Sequence, residues 1–302
     1  MSWRGVASPK FSRHRVIAVT DIVSTIAPAK LTLWLRVTGV RPDGYHLIDA
    51  EMTTLDLHDR LEISDLALSN PSRDGRVTFT GPFAAGLVDD ERNLVRRALH
   101  YAGRRADVTL EKNIPHGGGL GGGSADAAAV LRWAEISAER VTDPTVSTGL
   151  ATDPAVDLAI DLAMKLGADV PFCLAGGRAR VSGIGEIIEP VAHQPDVVTL
   201  VVPPFSVSTP AVYRAWDELG GPRSDGPNDL EPAALSVEPR LAIWRDIIAS
   251  ATGVLPTLAG SGATWFVSGD HVDGIRAAFE SASQGASDQN LRGTQVLSSR
   301  HA

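Results

Sequence analysis

The chain has 302 residues, 43% of them hydrophobic and 21% charged, enough apolar material for one large or two ordinary globular domains. A formal net charge of -8 argues against nonspecific nucleic-acid binding, which needs a basic face, and the single cysteine, Cys173, excludes an intrachain disulfide and fits a reducing compartment. No apolar run reaches the ~18 residues of a membrane span, so neither a membrane nor a nucleic-acid partner is expected, and the setting expected is cytoplasmic.

Residues 1–25 are basic at first (Arg4, Lys10, Arg13, Arg15), with no acid before Asp21, and lack a clean signal-peptide core. They read as a disordered extension. From Ala29 the pattern turns strand-like, with Leu31, Leu33, Leu35 and Val37 alternating onto one face. Arg41-Pro-Asp-Gly44 is a turn, and Met52 to Ile63 holds more strand. Asn93 to Arg104 is spaced for a helix and Val108 to Glu111 for a short strand. A helix follows over Ser124 to Ala138, and another over Ala155 to Leu166, stopped by Gly167. Arg178 to Val191 reads as a hairpin turning at Gly183 and Gly185. A second unit begins near Val197 with a buried strand to Val202, followed by a helix over Pro210 to Glu218 and a polar linker over Gly220 to Pro227. A helix over Leu241 to Ala251, a strand over Thr264 to Val267 and a helix over Val272 to Phe279 complete it. The expected organisation is an N-terminal domain over 26–195, a C-terminal domain over 196–282 and a frayed tail over 283–302. Helices and strands mix without strict alternation, so the class expected is α+β.

The most informative segment is Gly117 to Ala128, GGGLGGGSADAA, in which six glycines fall in seven positions and lead into a helix former. So much backbone freedom is tolerated where the chain must approach something closely, most often a phosphate held by bare N–H groups at a helix N-terminus. A Walker A loop needs Gly-Lys-Ser/Thr at its end, and here Gly123 meets Ser124 directly. A Rossmann fingerprint can be written on Gly117, Gly119 and Gly122, but Asn113-Ile-Pro115 separates the strand from the glycines. What remains is a phosphate loop outside the Walker class, with Ser124 both an N-cap candidate and a hydroxyl for a phosphate or for Mg²⁺.

Only four lysines stand against 24 arginines, so each invites a reason. Lys112 is near enough in sequence to reach a nucleotide, or is a solvated charge at a strand end. Lys30 opens an apolar strand. Asp169, in Gly167-Ala-Asp-Val-Pro-Phe172, is either a cap or turn residue or a general base that orients an alcohol in phosphoryl transfer. Tyr45 and His46 follow the Asp43-Gly44 turn, as a packed aromatic or as the edge of a base- or sugar-binding site. Gly260-Ser-Gly-Ala263 is a second, shorter glycine loop.

Pro28-Ala-Lys-Leu31, the Pro115-to-Ala128 loop and Gly260-Ser-Gly-Ala263, in this order, resemble the three motifs of the GHMP kinase superfamily. Asp43-Gly-Tyr-His46, Gly167-Ala-Asp-Val-Pro171 and Asn228-Asp-Leu-Glu231 resemble the branch of it that acts on a cytidine diphosphate derivative of methylerythritol. The likeness runs over roughly Ala27 to Phe279. It implies a two-domain GHMP kinase fold: an N-terminal domain like domain 2 of ribosomal protein S5, a ferredoxin-like C-terminal domain, and an active site between them. It also implies ATP-dependent phosphorylation, with Mg²⁺, of a small-molecule alcohol in the non-mevalonate isoprenoid pathway, by a monomer or homodimer. Lys30 and Asp169 match the catalytic pair. Pro115, Gly117, Gly118, Gly119, Leu120, Gly121, Gly122, Gly123 and Ser124 match the loop around the ATP phosphates, and Asn93 and Lys112 match positions near the adenine nucleotide. Tyr45, His46 and Tyr213 match the cytidine site, with Tyr213 where the family usually has Phe, and Thr209 matches a polar contact to substrate. Thr32 departs from the family's usual Asn, and is shorter, with a single donor.

Overall fold

The alternation read from Ala29 onward belongs to a longer strand, β1 (Ile22–Val40), folded back on β2 (His46–Asp65) as an antiparallel hairpin. In this computed structural model residues 22–66, 74–139, 161–285 and 291–302 are described. Ile22 to Thr25, assigned above to a disordered extension, are the first residues of β1 and pair with Leu61 to Ser64. The hairpin turns through Arg41–Tyr45, where Gly44 has φ +86°, a value that favours glycine.

One long edge of β2 carries β1. The other carries two strands end to end: β4 (Ala106–Glu111) on Arg60 to Asp65 and β5 (Arg178–Gly183) on Ile48 to Thr53. β3 (Val77–Thr80) adds in parallel to β4, and β6 (Ile187–Pro190) adds antiparallel to β5. Helices α1 (Leu94–Tyr101) and α2 (Gly122–Glu139) share a core with this sheet. The alanines of α2, from Ala125 to Ala129, are buried almost without exception, the signature of a helix enclosed on all sides. Residues 161–166 form helix α3, and the earlier part of the helix expected from Ala155 lies outside the described residues. Helix α4 (Val170–Ala175) follows directly.

The second sheet has the order β10-β7-β9-β8, with all neighbours antiparallel: β7 (Val197–Val202), β8 (Thr257–Leu258), β9 (Trp265–Ser268) and β10 (Gln295–Arg300). Helices α5 (Thr209–Glu218), α6 (Glu231–Val237) and α7 (Leu241–Thr252) join β7 to β8, and α8 (Val272–Gly285) joins β9 to β10. Strands in the spatial order fourth, first, third, second, with helical crossovers after the first and third, make the ferredoxin-like βαββαβ arrangement. Its fourth strand lies in the tail expected to fray. That expectation fails for Gln295 to Arg300, which pair with every residue of β7. Asp56 fixes the tail further, its Oδ1 accepting from Ser299 Oγ at 2.6 Å and from the Arg300 N–H at 2.9 Å.

The two sheets share their core. Leu35, Val37 and Met52 pack in one cluster with Val201, Trp244 and Trp265, and Leu31, Leu55 and Leu120 pack in another with Leu200 and Phe266. Leu31 and Leu35 part company because the β1–β2 register shifts between Thr32 and Trp34. A cleft of about 610 Å³ opens along this seam.

Candidate active site

Among the segments that meet at the cleft are the middle of β1, the turn into β2, the residues just before α4, the face of α5 and both glycine loops. Lys30 follows a register shift in β1, is 5% exposed, and donates its backbone N–H to Leu120 O at 3.0 Å. Its ammonium stands 3.4 Å from Asp169 Oδ2 and donates to Thr32 Oγ1 at 3.2 Å. Thr32, where the family usually has Asn, thus steadies the lysine itself. Asp169 occupies the N-cap position of α4, but its side chain makes no capping hydrogen bond. The carboxylate is left to Lys30 and the cleft, which removes the capping reading of Asp169.

The glycine loop does two jobs. Gly117, Gly119 and Gly121 have φ of +74°, +78° and +69°. A Cβ on Gly117, Gly118, Gly119 or Gly121 would lie 2.6–2.8 Å from Ser206, Thr264, the carbonyls of Ala259 and Gly262, or the stem of Lys30 respectively. Close approach to the second sheet's loops and to Lys30 therefore requires these glycines before any ligand is considered. Leu120 is buried in the shared core and Pro115 is buried beside it, so both anchor the loop. Helix α2 starts at Gly122, so Ser124 is its third residue and not the N-cap expected from the sequence. Ser124 and Gly119 line the cleft.

Lys112 is neither solvated nor turned to the cleft. It is 3% exposed and ion-paired to Asp59 and to Asp126, the latter at 2.6 Å. Asp59 Oδ1 also accepts from the Ile114 N–H at 2.8 Å, so the triad ties the entry of the glycine loop to the first turn of α2. Burial works to lower the Lys112 pKa, but Asp126 and Asp59 more than offset it and hold the ammonium charged. Burial, with Asp59 adding to it and Lys112 opposing it, pushes the Asp126 carboxyl up to about 7. Asn93 caps α1, its side chain accepting from the Val95 and Arg96 N–H groups at 2.9 and 3.3 Å. Neither Asn93 nor Lys112 lines the cleft, and their assignment to the nucleotide remains an expectation from the resemblance.

The residues expected for a base line the same cleft. Tyr45 is 60% exposed at the turn. His46 packs on Tyr213 with ring centroids 4.6 Å apart, edge-on to Trp216 at 5.7 Å, and its Nε2 meets Asp217 Oδ1 at 2.8 Å. Burial, with a contribution from Asp169, pushes the Tyr213 phenol up, so it stays protonated. Thr209 and Ser261 exchange a 2.7 Å hydroxyl hydrogen bond, joining α5 to the second glycine loop. Asn228 holds that loop, its Nδ2 donating to Leu258 O at 2.8 Å and to Gly260 O at 2.7 Å. Asp229 beside it is fully buried and accepts from the Val37 N–H at 3.1 Å and from Arg36 at 2.8 Å. The Asn228-to-Glu231 motif is thus a clamp between β1 and the second sheet.

Sequence reasoning missed Asp217 and the partners of Lys112, and saw Ser261 only as part of the second glycine loop. Asp217 had a findable signal, since it lies one helical turn beyond Tyr213 on the same face. Asp126, alone among alanines, was the visible half of the Lys112 triad.

Residues 92–177, which span the glycine loop and Asp169, match the GHMP kinases N terminal domain. The chain is 40% identical to the 4-diphosphocytidyl-2-C-methyl-D-erythritol kinase of Paracoccus denitrificans (strain Pd 1222), covering 80% of this chain and 84% of that one. It is 34% identical to the enzyme of the same name from Agrobacterium fabrum (strain C58 / ATCC 33970), covering 84% and 89%. A crystal structure of 4-(cytidine 5'-diphospho)-2C-methyl-D-erythritol kinase superposes with a TM-score of 0.64 at 30% identity, over 93% of this chain and all of that one. The mevalonate kinase of L. major, at 14% identity and a TM-score of 0.63 over 94% of this chain and 97% of that one, shares the fold. Motifs, topology and similarity over most of both chains agree: this chain belongs to the 4-diphosphocytidyl-2-C-methyl-D-erythritol kinase family of the GHMP kinases.

Proposed function

We propose that the protein uses ATP to phosphorylate the 2-hydroxyl of 4-diphosphocytidyl-2-C-methyl-D-erythritol, a step of the non-mevalonate isoprenoid pathway. The observation that carries this reading is the Lys30–Asp169 pair, 3.4 Å apart, in one cleft that Ser124, Gly119, Tyr45, His46 and Tyr213 also line. The acceptor's cytosine lies among the aromatic residues, and its hydroxyl lies at the pair. The acceptor oxygen forms a bond to the γ-phosphorus as the bond to the bridging oxygen of ADP breaks, and the hydroxyl proton passes to Asp169. Lys30 compensates the charge that develops there. Catalysis of this kind is mostly positioning and electrostatics.

Backbone N–H groups at the start of α2 cradle the phosphates, in keeping with a helix N-terminus as an anion site. Mg²⁺ neutralises phosphate charge when bound. Among the described residues no group of three or more His, Cys, Asp or Glu side chains is placed to hold a metal, and Ser124 offers one hydroxyl to the cleft. That donor set fits an ion carried by nucleotide phosphates, with Ser124 as its protein ligand. Residues 26–195 would form the ATP-binding domain and the chain beyond them the second domain, extended to include β10. Among the described residues no helix is long and apolar enough to cross a membrane.

A coupled ADP-release assay tests the reading, with the diphosphocytidyl acceptor and with free methylerythritol phosphate as control. Turnover with the first and not the second is expected, and Asp169→Asn should keep ATP binding while lowering kcat by at least about 10²-fold. Wild-type turnover in that variant would overturn the role of Asp169. Equal activity on the control would overturn the choice of acceptor.

A further inference from the structure

Asp217 has no role in the reaction described so far, yet it makes the one side-chain hydrogen bond described for His46. The two residues come from different sheets' territory: His46 opens β2, and Asp217 lies one turn beyond Tyr213 on α5. Three contacts fix the imidazole: the Tyr213 face at 4.6 Å, the Trp216 edge at 5.7 Å, and Asp217 Oδ1 at 2.8 Å from Nε2. Packing sets the plane of the ring. The carboxylate sets its tautomer, because an ionised carboxylate only accepts hydrogen bonds and the imidazole proton must then reside on Nε2. In the neutral ring Nδ1 is left as a bare acceptor, on a residue that lines the cleft.

We infer that Asp217 is a positioning residue for base choice: by accepting the Nε2 proton it makes His46 read the 4-amino group of cytosine and reject uracil. The inference rests on the cytidine reading above and deepens it. Cytosine presents an N–H donor at position 4, whereas uracil presents a carbonyl oxygen there. A bare Nδ1 accepts from the first and opposes the lone pairs of the second. Free to change tautomer, the same ring would donate to the carbonyl and lose the distinction. The aromatic faces cannot supply it, since stacking accepts either pyrimidine.

The test compares the diphosphocytidyl acceptor with its diphosphouridyl analogue, at pH 8 where imidazole is ordinarily neutral. Asp217 is half exposed, so Asp217→Ala should fold normally, which thermal unfolding checks. In that variant the cytosine-to-uracil ratio of kcat/KM should fall by about 10–100-fold, the worth of one matched hydrogen bond against a mismatched one. The KM for ATP should not move. Asp217→Glu, which keeps an acceptor, should recover part of the ratio, and ¹⁵N shifts of His46 should report the Nε2–H tautomer in the wild type and a mixture in Asp217→Ala. An Asp217→Ala enzyme that loses activity equally on both acceptors would overturn the inference and leave Asp217 a structural residue. A wild type that turns over neither acceptor would overturn the cytidine reading, and the inference with it.

Discussion

Gly119 and Gly123 sit in the same loop, but the structure gives them opposite reasons for lacking a side chain. At Gly119 the backbone has φ +78°, and a Cβ would lie 2.8 Å from both Ala259 O and Gly262 O, about 0.6 Å inside ordinary contact. Those carbonyls cannot retreat cheaply, because the segment is closed on itself by Ala259 N to Thr264 O at 2.9 Å and Gly262 N to Ala259 O at 3.0 Å. Gly119→Ala thus incurs about 1–2 kcal/mol for a left-handed alanine and about 1–3 kcal/mol for overpacking. Gly123 lies in the first turn of α2, with its nearest neighbour, Leu94 Cδ1, at an ordinary 3.5 Å. Gly123→Ala should gain about 0.5–1 kcal/mol of helix stability. The two variants should differ by about 3–6 kcal/mol, at least about 6 °C in Tm at roughly 2 °C per kcal/mol for a chain of this size. Displacing the loop by a large fraction of an ångström should also cost Gly119→Ala about 10²-fold in turnover, the usual penalty for misplaced reactants. Calorimetry and the ADP-release assay read both effects. If Gly119→Ala melts with the wild type, the packing argument is wrong and ligand approach alone explains the glycine.

Lys112→Met should lose about 3–5 kcal/mol of stability by leaving Asp59 and Asp126 buried without their cation. Unfolding in urea checks it, and a variant of unchanged stability but raised KM for ATP would instead support a nucleotide-binding lysine. The Asp126 carboxyl, pushed up to about 7 by burial, binds its proton more tightly in the folded state than in the unfolded one. Its contribution to stability therefore falls as pH rises from about 4 to about 7 and is level above that. Between pH 5 and pH 8 the wild type should lose more stability than Asp126→Asn, and parallel pH profiles would refute the assignment. Asn228→Ala leaves the carbonyls of Leu258 and Gly260 without their buried donor, at about 1–3 kcal/mol each. Because the same loop carries Ser261, the KM for the acceptor should rise while that for ATP holds.

The elements that announced themselves are those whose own residues carry a period. The β7 run Val197 to Val202, the alternation of β1 and the amphipathic face of α5 need no partner to be read. β10 escaped because Gln295-Val-Leu-Ser-Ser-Arg300 is mostly polar, and it is a strand only because β7 offers a free edge. α4 escaped because six residues beginning Val-Pro leave no room for a helical period. The proposed catalytic pair was nameable only through resemblance, since Lys30 and Asp169 lie far apart in the chain and no local spacing relates them. The solvated reading of Lys112 failed for the same reason: one of its partners, Asp59, is 53 residues away. A charge next to a glycine loop looks solvated or ligand-bound from sequence, and only the fold shows two carboxylates arriving from a strand and a helix to enclose it.

The loop's glycines, taken one at a time, also change what its composition means. Four of the six are required by protein atoms that a Cβ would meet at 2.8 Å or less. A glycine-rich loop by itself therefore argues for close packing as strongly as for a phosphate. The case for a phosphate rests on the remaining two, Gly122 and Gly123, which begin α2 where helix N–H groups have no partner within the helix. Gly121 links the two roles. Its missing Cβ makes room for the stem of Lys30, whose Cγ would stand 2.7 Å from it, while Leu120 next to it accepts the Lys30 backbone N–H. The segment proposed to receive the donor phosphates thus also sets the height of Lys30. On the proposed mechanism, any movement of the loop would change the distance between the reacting groups, which gives a physical reason for packing it so tightly against the second sheet.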